Sequence, residues 1–146
     1  MSELLEKARS YEAKKIAATD KESKPLFHIS APAGWINDPN GFSVYNGKIH
    51  LFYQYYPYLR EWGPMHWGHS TTSDMIKWEQ LPCVLAPDEE YDKKGCFSGS
   101  AIEADGKHVL VYTGVTRIKL PDGSEQERQN QCIAFGCLLY TSDAAD

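Results

Sequence analysis

Two hairpins that share one sequence pattern constrain the fold of this chain more than any other feature. Each consists of two apolar runs joined by a dipeptide. The four runs are Phe42–Tyr45, Lys48–Tyr55, Ser100–Ala104 and Lys107–Tyr112. The dipeptides, Asn46-Gly47 and Asp105-Gly106, favour type I′ turns because their residues tolerate the positive φ that both turn positions need. The second hairpin repeats the first without gaps, since Gly47 and Gly106 lie 59 positions apart.

Two further strands are predicted after the first hairpin. They cover His66–Ser73 and Lys77–Leu81, with a turn at Ser73-Asp74-Met75 between them. Four antiparallel strands therefore precede the point at which the pattern starts again, and such a repeating unit is typical of β-propeller blades. A closed propeller typically needs about four to eight blades. We therefore expect an all-β fold with one blade and about half of a second, as a fragment of a longer protein.

A helix is predicted over residues 2–18, before the strands begin. Ser2 can cap its N-terminus, and Glu3 in the first turn is favoured by the helix dipole. The apolar residues that fall roughly on one face, and that we expect to pack against a larger body, are Leu4, Leu5, Ala8, Tyr11 and Ile16. The predicted organisation is a helix and polar connector over 1–24, the partial propeller over 25–136, and a tail over 137–146.

The tail is expected to be foreign to the fold. It interrupts the strand predicted to begin at Gln131, and its sequence resembles a translated sequencing-adaptor tail. A natural short C-terminus is the alternative.

Composition excludes several classes of function. The net charge is −5 and no basic patch occurs, so we expect no nucleic-acid partner. No apolar run reaches the roughly 20 residues of a membrane span. The N-terminus lacks the basic and apolar regions of a secretory signal, which predicts a cytoplasmic protein. The four cysteines show no C-x-x-C spacing, so neither a zinc ribbon nor a disulfide scaffold is indicated.

One segment, Trp35-Ile-Asn-Asp-Pro-Asn-Gly41, combines a carboxylate with amides, an aromatic ring and residues that restrict the backbone. Pro39 fixes its own φ and pushes Asp38 toward extended geometry, while Gly41 can adopt positive φ. Such a segment suits a carboxylate that is held still and directed at a polar ligand. Asn, Asp, Pro and Gly are also the usual turn residues, so an Asp38 that caps its own turn is the alternative.

Four segments in order resemble glycoside hydrolase family 32. They are residues 35–41, Phe52-Tyr-Gln-Tyr-Tyr-Pro57, Trp62-Gly-Pro-Met-His-Trp-Gly-His69 and Phe97-Ser-Gly-Ser-Ala101. The resemblance extends from about His28 to Gly136. This family contains invertases, fructan hydrolases and sucrose-6-phosphate hydrolases, and its fold is a five-bladed β-propeller followed by a β-sandwich. The resemblance therefore implies a hydrolase of terminal β-fructofuranosides, with sucrose or sucrose 6-phosphate as substrate.

The resemblance also implies roles for individual residues. Asp38 takes the position of the nucleophile in a retaining mechanism that passes through a covalent fructosyl-enzyme. The residues implied in substrate binding are Trp35, Asn37, Gln54, Trp62, Phe97 and Ser98. Five of them have a structural alternative: core filling for the tryptophans, a polar strand residue for Gln54, and an ordinary strand start for Phe97 and Ser98. Gly99 is expected to permit close backbone approach.

Two other groups of residues are expected to have no role in chemistry. His66 and His69 lie three apart in a predicted strand and should point to opposite faces, so we expect no metal site and no cofactor. The acidic run Asp88-Glu89-Glu90, with Asp92 after it, is interpreted as a solvated loop. Two non-enzymatic functions stay open as alternatives, a carbohydrate-binding module and a propeller scaffold for interactions.

The 146-residue chain is predicted to show no sucrose hydrolysis above a blank. A retaining glycosidase needs a second carboxyl group about 5 Å from the nucleophile as general acid. In family 32 this acid is a Glu in a Glu-Cys segment, an Arg-Asp-Pro segment supplies a further Asp, and this chain contains neither. Release of reducing sugar from sucrose by the purified chain is the measurement, and clear turnover would refute this account of the missing acid.

Overall fold

The part of the chain that the structure describes forms one α-helix followed by antiparallel strands. A computed structural model describes residues 2–20, 22 and 24–135 of the chain. The predicted tail over 137–146 lies outside these described residues. The elements are α1 (Glu3–Ala18), β1 (Trp35–Tyr45), β2 (Lys48–Tyr56), β3 (His66–Thr72), β4 (Glu79–Leu85), β5 (Gly95–Ala104), β6 (Lys107–Lys119) and β7 (Glu125–Phe135).

The strands form two separate antiparallel sheets. Blade 1 is the four-stranded sheet in the order β1-β2-β3-β4, and blade 2 is the three-stranded sheet in the order β5-β6-β7. Each strand pairs with the strand that precedes it in its blade, which is the meander expected of a propeller blade. The all-β prediction with a short N-terminal helix is therefore confirmed for the described residues.

Both predicted hairpin turns have the expected backbone. φ is 49° at Asn46 and 72° at Gly47, and it is 51° at Asp105 and 69° at Gly106. Positive φ at both central residues is the requirement of a type I′ turn, whose twist matches that of the flanking strands. The turns set the register of each hairpin, which begins with the pairs Tyr45–Lys48 and Ala104–Lys107.

The two blades pack face to face through one apolar cluster. Blade 1 contributes Phe52, Trp67 and Val84 to it. The residues from blade 2 are Cys96, Leu110, Tyr112 and Cys132. Where β1 faces β5, a Cβ added to Gly41 would lie 3.0 Å from the Cβ of Ala101. The first strands of both blades therefore lie side by side, as the innermost strands of a propeller do.

Helix α1 covers the opposite face of blade 1. The Ser2 hydroxyl accepts a hydrogen bond from the Leu5 N–H at 3.2 Å, so the predicted cap is confirmed. Ala8 packs with Tyr53, Tyr55 and Cys83. Tyr53 corresponds to Tyr112 in the 59-residue repeat, and Tyr112 faces blade 1. Helix α1 thus occupies the face of blade 1 that, in blade 2, is covered by the preceding blade.

The predicted contact face of α1 was partly wrong. Leu4 and Ile16 are 42% and 41% exposed, whereas Glu12 is buried. Glu12 accepts a hydrogen bond from the backbone N–H of Cys83 at 3.1 Å, and Arg9 Nε donates to the Cys83 carbonyl at 2.7 Å. Glu12 and Arg9 therefore satisfy the backbone N–H and C=O of Cys83 on edge strand β4. In this way α1 covers the exposed edge of the sheet.

Five strands have bounds that differ from the sequence prediction by more than one residue. β5 begins at Gly95 rather than Ser100, and β6 ends at Lys119 rather than Tyr112. β1 begins at Trp35 rather than Phe42, because an edge strand tolerates the missing N–H of Pro39. β4 covers Glu79–Leu85 instead of Lys77–Leu81, because Asp74 Oδ1 accepts hydrogen bonds from two backbone N–H groups and so prolongs the preceding turn. β7 begins at Glu125 rather than Gln131, since its first half is polar and lacks an apolar signal.

The interpretation of the acidic run as a solvated loop was wrong for Asp92. Its side chain is fully buried. It accepts hydrogen bonds from the Tyr112 hydroxyl and from the Glu89 N–H, both at 2.8 Å. Burial raises the pKa of Asp92. This carboxyl joins the loop before β5 to the middle of β6, so its role is structural.

Three buried histidines meet at the interface between the blades. His50 Nδ1 lies 3.0 Å from His69 Nε2, and His50 Nε2 lies 3.1 Å from the Tyr45 carbonyl oxygen. His108 Nε2 is 2.8 Å from Ser43 Oγ, and its ring centroid is 4.9 Å from that of His50. When His50 donates from Nε2 to the carbonyl, its Nδ1 accepts from His69, so neutral rings satisfy this arrangement.

Burial lowers the pKa of all three histidines. That of His69 falls well below its usual value, and that of His108 falls to about 4. The pKa of His50 is also lowered, with Lys48 as a further positive neighbour. The positive charge of Arg9 contributes to the lowering at His69. The blade interface is therefore built for uncharged imidazoles.

The stability of the protein is expected to fall as the pH is lowered from about 6.5 to 4. In this window the unfolded histidines bind protons that the buried ones do not, so protonation favours unfolding by on the order of 2 kcal/mol. Thermal unfolding across this range measures the effect. His108→Gln should flatten the pH dependence, and His28→Gln, at an exposed position, should leave it intact. An unchanged slope in His108→Gln would contradict this role of the cluster.

Candidate active site

Two β-bulges bring the candidate nucleophile and a hydroxyl together. The register of β1 against β2 shifts between Ile36 and Pro39, so Asn37 and Asp38 occupy one bulge. The register of β5 against β6 shifts between Phe97 and Gly99, at Ser98. Bulges redirect side chains and are common beside active sites. Here Ser98 Oγ donates a hydrogen bond to Asp38 Oδ2 at 3.4 Å, and both residues are exposed.

The bulge in β5 depends on glycine. A Cβ added to Gly99 would lie 2.0 Å from the carbonyl oxygen of Val111 and 2.7 Å from the Cα of Tyr112. The expectation that Gly99 permits close backbone approach is therefore confirmed. In β1, a second register shift between Asn40 and Ser43 contains Gly41, whose φ is 50°. Glycine adopts this conformation without the steric cost of a Cβ, as predicted from its place in the motif.

Trp35 and Asn37 contact each other next to Asp38. The indole N–H of Trp35 donates to Asn37 Oδ1 at 2.8 Å. Because this bond uses the carbonyl oxygen of the Asn37 side chain, the amide nitrogen is the group with which Asn37 can donate to a ligand. Trp35 is half-buried and Asn37 is exposed, so an amide donor and an aromatic edge flank the carboxylate.

An aromatic wall joins Trp62, in the loop between β2 and β3, to Phe97 of β5. The rings of Trp62 and Phe97 meet edge to face, with their centroids 6.1 Å apart at 87°. Trp62 is 54% exposed and Phe97 is half-buried. The Trp67 indole N–H donates to the Phe97 carbonyl at 3.2 Å and so fixes the start of β5. Sequence reasoning did not assign this positioning role to Trp67, although the residue stands in one of the four family segments.

Gln54 lies deeper than the other candidate residues. Its side chain is 3% exposed, and Nε2 donates to the Cys96 carbonyl of blade 2 at 3.1 Å. This bond joins the middle of β2 to the start of β5. The structure therefore gives Gln54 a contact between blades, and its contact with a sugar stays a prediction.

Sequence reasoning also missed Asn40. Its side chain is 3% exposed, and neither polar atom of its amide has a hydrogen-bond partner among the described residues. A buried amide without partners is costly, so such a group points to a missing contact. The position of Asn40, two residues after Asp38, was the sequence signal that could have identified it as a candidate site residue.

His66 and His69 do not converge. His66 Nδ1 lies 2.8 Å from the Pro64 carbonyl oxygen, and burial lowers the pKa of His66 to about 4. His69 belongs to the histidine cluster between the blades. Within residues 2–20, 22 and 24–135, no group of three or more His, Cys, Asp or Glu side chains is arranged to hold a metal ion.

The site combines an exposed carboxylate, a hydroxyl donor, an amide donor and aromatic faces. Hydroxyl and amide groups suit the hydroxyls of a sugar, and aromatic faces suit its apolar C–H surface. The carboxylate at the centre is available for attack at a carbon atom. Asp38 is the one carboxylate among the residues brought together here, and a two-carboxylate mechanism would need a second.

Comparison with known families decides the assignment. The profile described as "Glycosyl hydrolases family 32 N-terminal domain" matches residues 28–138. The chain belongs to glycosyl hydrolase family 32. The match covers all four segments that carry the resemblance, and it begins where the resemblance was expected to begin. The family's N-terminal domain is a β-propeller, which agrees with the two blades.

Relatives in this family share close to half of their residues with the chain. The sucrose-6-phosphate hydrolase of Escherichia coli is 49% identical over 110 residues, which is 75% of this chain and 23% of that protein. The levanase of Bacillus subtilis is 48% identical over 134 residues, which is 90% of this chain and 19% of that protein. The chain thus spans about a fifth of the length of these relatives.

A solved family 32 structure has the same fold. It is a mutant of the Bombyx mori beta-fructofuranosidase in complex with sucrose, 44% identical, with a TM-score of 0.72. The alignment covers 88% of this chain and 27% of that protein.

The helix α1 is polar and 16 residues long, and no helix in the described part of the chain qualifies as a membrane span.

Replacing Gly99 with Ala is expected to destabilise the protein far more than replacing Gly106 with Ala. The added methyl group at Gly99 collides with backbone, whereas at Gly106 it meets nothing within 4 Å and only strains a positive φ. We expect a cost of about 1 kcal/mol at Gly106 and at least about 3 kcal/mol at Gly99. Urea unfolding measures both free energies. Equal losses would contradict the requirement for glycine in the β5 bulge.

Proposed function

We propose that the protein carrying this chain hydrolyses terminal non-reducing β-D-fructofuranosides, with sucrose or sucrose 6-phosphate as substrate. The observation that carries this proposal is the exposed Asp38 in the β1 bulge, in contact with Ser98, whose chain neighbour Phe97 packs against Trp62. Support comes from the relatives, since one is a sucrose-6-phosphate hydrolase and another was solved in complex with sucrose.

The proposed mechanism retains the configuration of the sugar. An oxygen of Asp38 attacks the anomeric carbon of the fructosyl unit, and the bond from that carbon to the bridging oxygen breaks. A general acid gives its proton to this oxygen, so the glucosyl part leaves as an alcohol. Water then cleaves the covalent fructosyl-enzyme, with the same acid acting as base, and Asp38 is released as a carboxylate.

The general acid is proposed to be a glutamate supplied by another part of the protein. The family resemblance places it in a Glu-Cys segment that this chain does not contain. For retention, its carboxyl group has to lie about 5 Å from that of Asp38. Completion of the site by further blades agrees with the exposed apolar face of blade 2, where Ile102, Ile133 and Phe135 are each about 60% exposed.

The other candidate residues are proposed to bind and orient the fructosyl ring. Ser98 holds the Asp38 carboxylate in position through its hydroxyl. Asn37 and Gln54 supply hydrogen bonds to sugar hydroxyls, and the rings of Trp35, Trp62 and Phe97 line the pocket. Orientation of this kind lowers the barrier because the reacting atoms are held in line before the bond forms. A propeller of five blades and a cytoplasmic location are part of the same proposal.

Asp38→Asn in the full-length protein is expected to lower kcat for sucrose by about four orders of magnitude or more. The substitution preserves shape and removes the nucleophilic charge, so KM should change much less than kcat. Initial-rate kinetics of glucose release measure both. Asp122→Asn, at an exposed turn, is the matched control and should retain the wild-type rate.

An undiminished rate in Asp38→Asn would overturn the assignment of the nucleophile. Sucrose binding by the wild-type protein without any turnover would instead favour a carbohydrate-binding module.

A further inference from the structure

A basic cleft of about 270 Å³ lies at the end of blade 1 where the candidate site begins. One wall is formed by the C-terminal half of α1 and the segment that enters β1. The other wall is the loop that leaves β2. The lining residues are Tyr11, Lys15, Thr19, Lys24, residues 31–34 and residues 57–60.

The cleft has a charge opposite to that of the chain. Lys15, Lys24 and Arg60 line it, and the described residues of its lining include no aspartate or glutamate. The chain as a whole carries a net charge of −5. Within the described residues, none of these three cations forms an ion pair with a carboxylate. Three cations in one concave space with no counter-charge in its lining create a local site for an anion.

The walls of the cleft are tied together. The Tyr11 hydroxyl donates to the Tyr58 carbonyl at 3.2 Å, which joins α1 to the loop after β2. Lys24 Nζ donates to the Ala31 carbonyl at 3.3 Å, and Lys15 Nζ lies 5.4 Å from the centroid of the Tyr11 ring. The two ammonium groups are therefore placed by contacts on one wall, and Arg60 stands on the opposite loop.

The cleft and the candidate nucleophile share the same end of the sheet. Trp35, the first residue of β1, pairs with Tyr56, the last residue of β2. The cleft begins at the residues directly beyond this pair. Asp38 lies three positions farther along β1, which is about 10 Å at the rise of a strand. This separation is comparable to the length of a phosphorylated disaccharide.

We propose that this cleft binds the phosphate group of a phosphorylated sugar whose fructosyl end lies at Asp38. The inference rests on the proposed function and selects sucrose 6-phosphate over sucrose as the preferred substrate. A phosphate presents several acceptor oxygens, which an arginine can bind through two parallel hydrogen bonds and which lysines bind as point charges. Neutral sucrose carries no negative charge with which these three cations could pair.

The phosphate contacts act on binding rather than on chemistry. The phosphate is remote from the bond that breaks, so its interaction is similar in the ground state and in the transition state. Such uniform binding lowers KM and leaves kcat little changed. A structural role for the cations would not produce this separation of the two constants.

The test compares two substrates in the full-length protein. We expect Arg60→Gln and Lys15→Gln each to raise KM for sucrose 6-phosphate about tenfold more than KM for sucrose, because each removes a charge-assisted contact. The kcat values for both substrates should stay comparable with those of the wild type. Lys77→Gln, in the exposed turn before β4, is the matched control and should change neither KM.

Equal changes in KM for both substrates in Arg60→Gln and Lys15→Gln would overturn the phosphate subsite alone, as would a wild-type protein that prefers sucrose. A wild-type protein that hydrolyses neither substrate would overturn the proposed function instead. Calorimetric titration with sucrose 6-phosphate would then test phosphate binding in the cleft independently of hydrolysis. Binding that Arg60→Gln weakens about tenfold supports the subsite, and equal binding by both proteins overturns it.

Discussion

The site depends on two β-bulges, one that holds Asp38 in β1 and one that holds Ser98 in β5. In a regular strand, alternate side chains point to opposite faces, and pairing alone fixes the direction of each. The bulges at residues 37–38 and 98 break that alternation and turn Asp38 and Ser98 toward each other. Gly99 makes this possible because the backbone of β6 passes where a side chain would stand. A local irregularity in each blade therefore creates the meeting point.

Packing between the blades holds this meeting point in place. Phe52 and Trp67 of blade 1 lie against Leu110 and Tyr112 of blade 2, and Gln54 adds a hydrogen bond to the Cys96 carbonyl. Trp67 also holds the Phe97 carbonyl, so the same contacts that join the blades set the start of β5. Helix α1 covers the other face of blade 1. It also contributes Lys15 to the basic cleft, which connects the N-terminal helix to the proposed recognition of substrate.

The features that the sequence predicted correctly are those set by neighbouring residues. The two hairpin turns and the Ser2 cap follow from local backbone rules, and the structure contains all three. The repeat also predicted the division into blades. By contrast, the burial of Asp92 depends on Tyr112, and that of Glu12 depends on Cys83. The basic cleft combines residues of α1 with the loop over residues 57–60, which are distant in the sequence. No local sequence pattern predicts such contacts, because only the folded chain brings these distant residues together.

The central claim is that Asp38 forms a covalent bond to the fructosyl unit. Acid quenching of the full-length protein during turnover of sucrose, followed by proteolysis and mass spectrometry, tests it most directly. This account predicts that the peptide containing Asp38 gains the mass of one fructosyl residue, and that tandem fragmentation places the added mass on the Asp38 side chain. A fructosyl group on a different carboxylate, with the Asp38 peptide unmodified, would contradict the account.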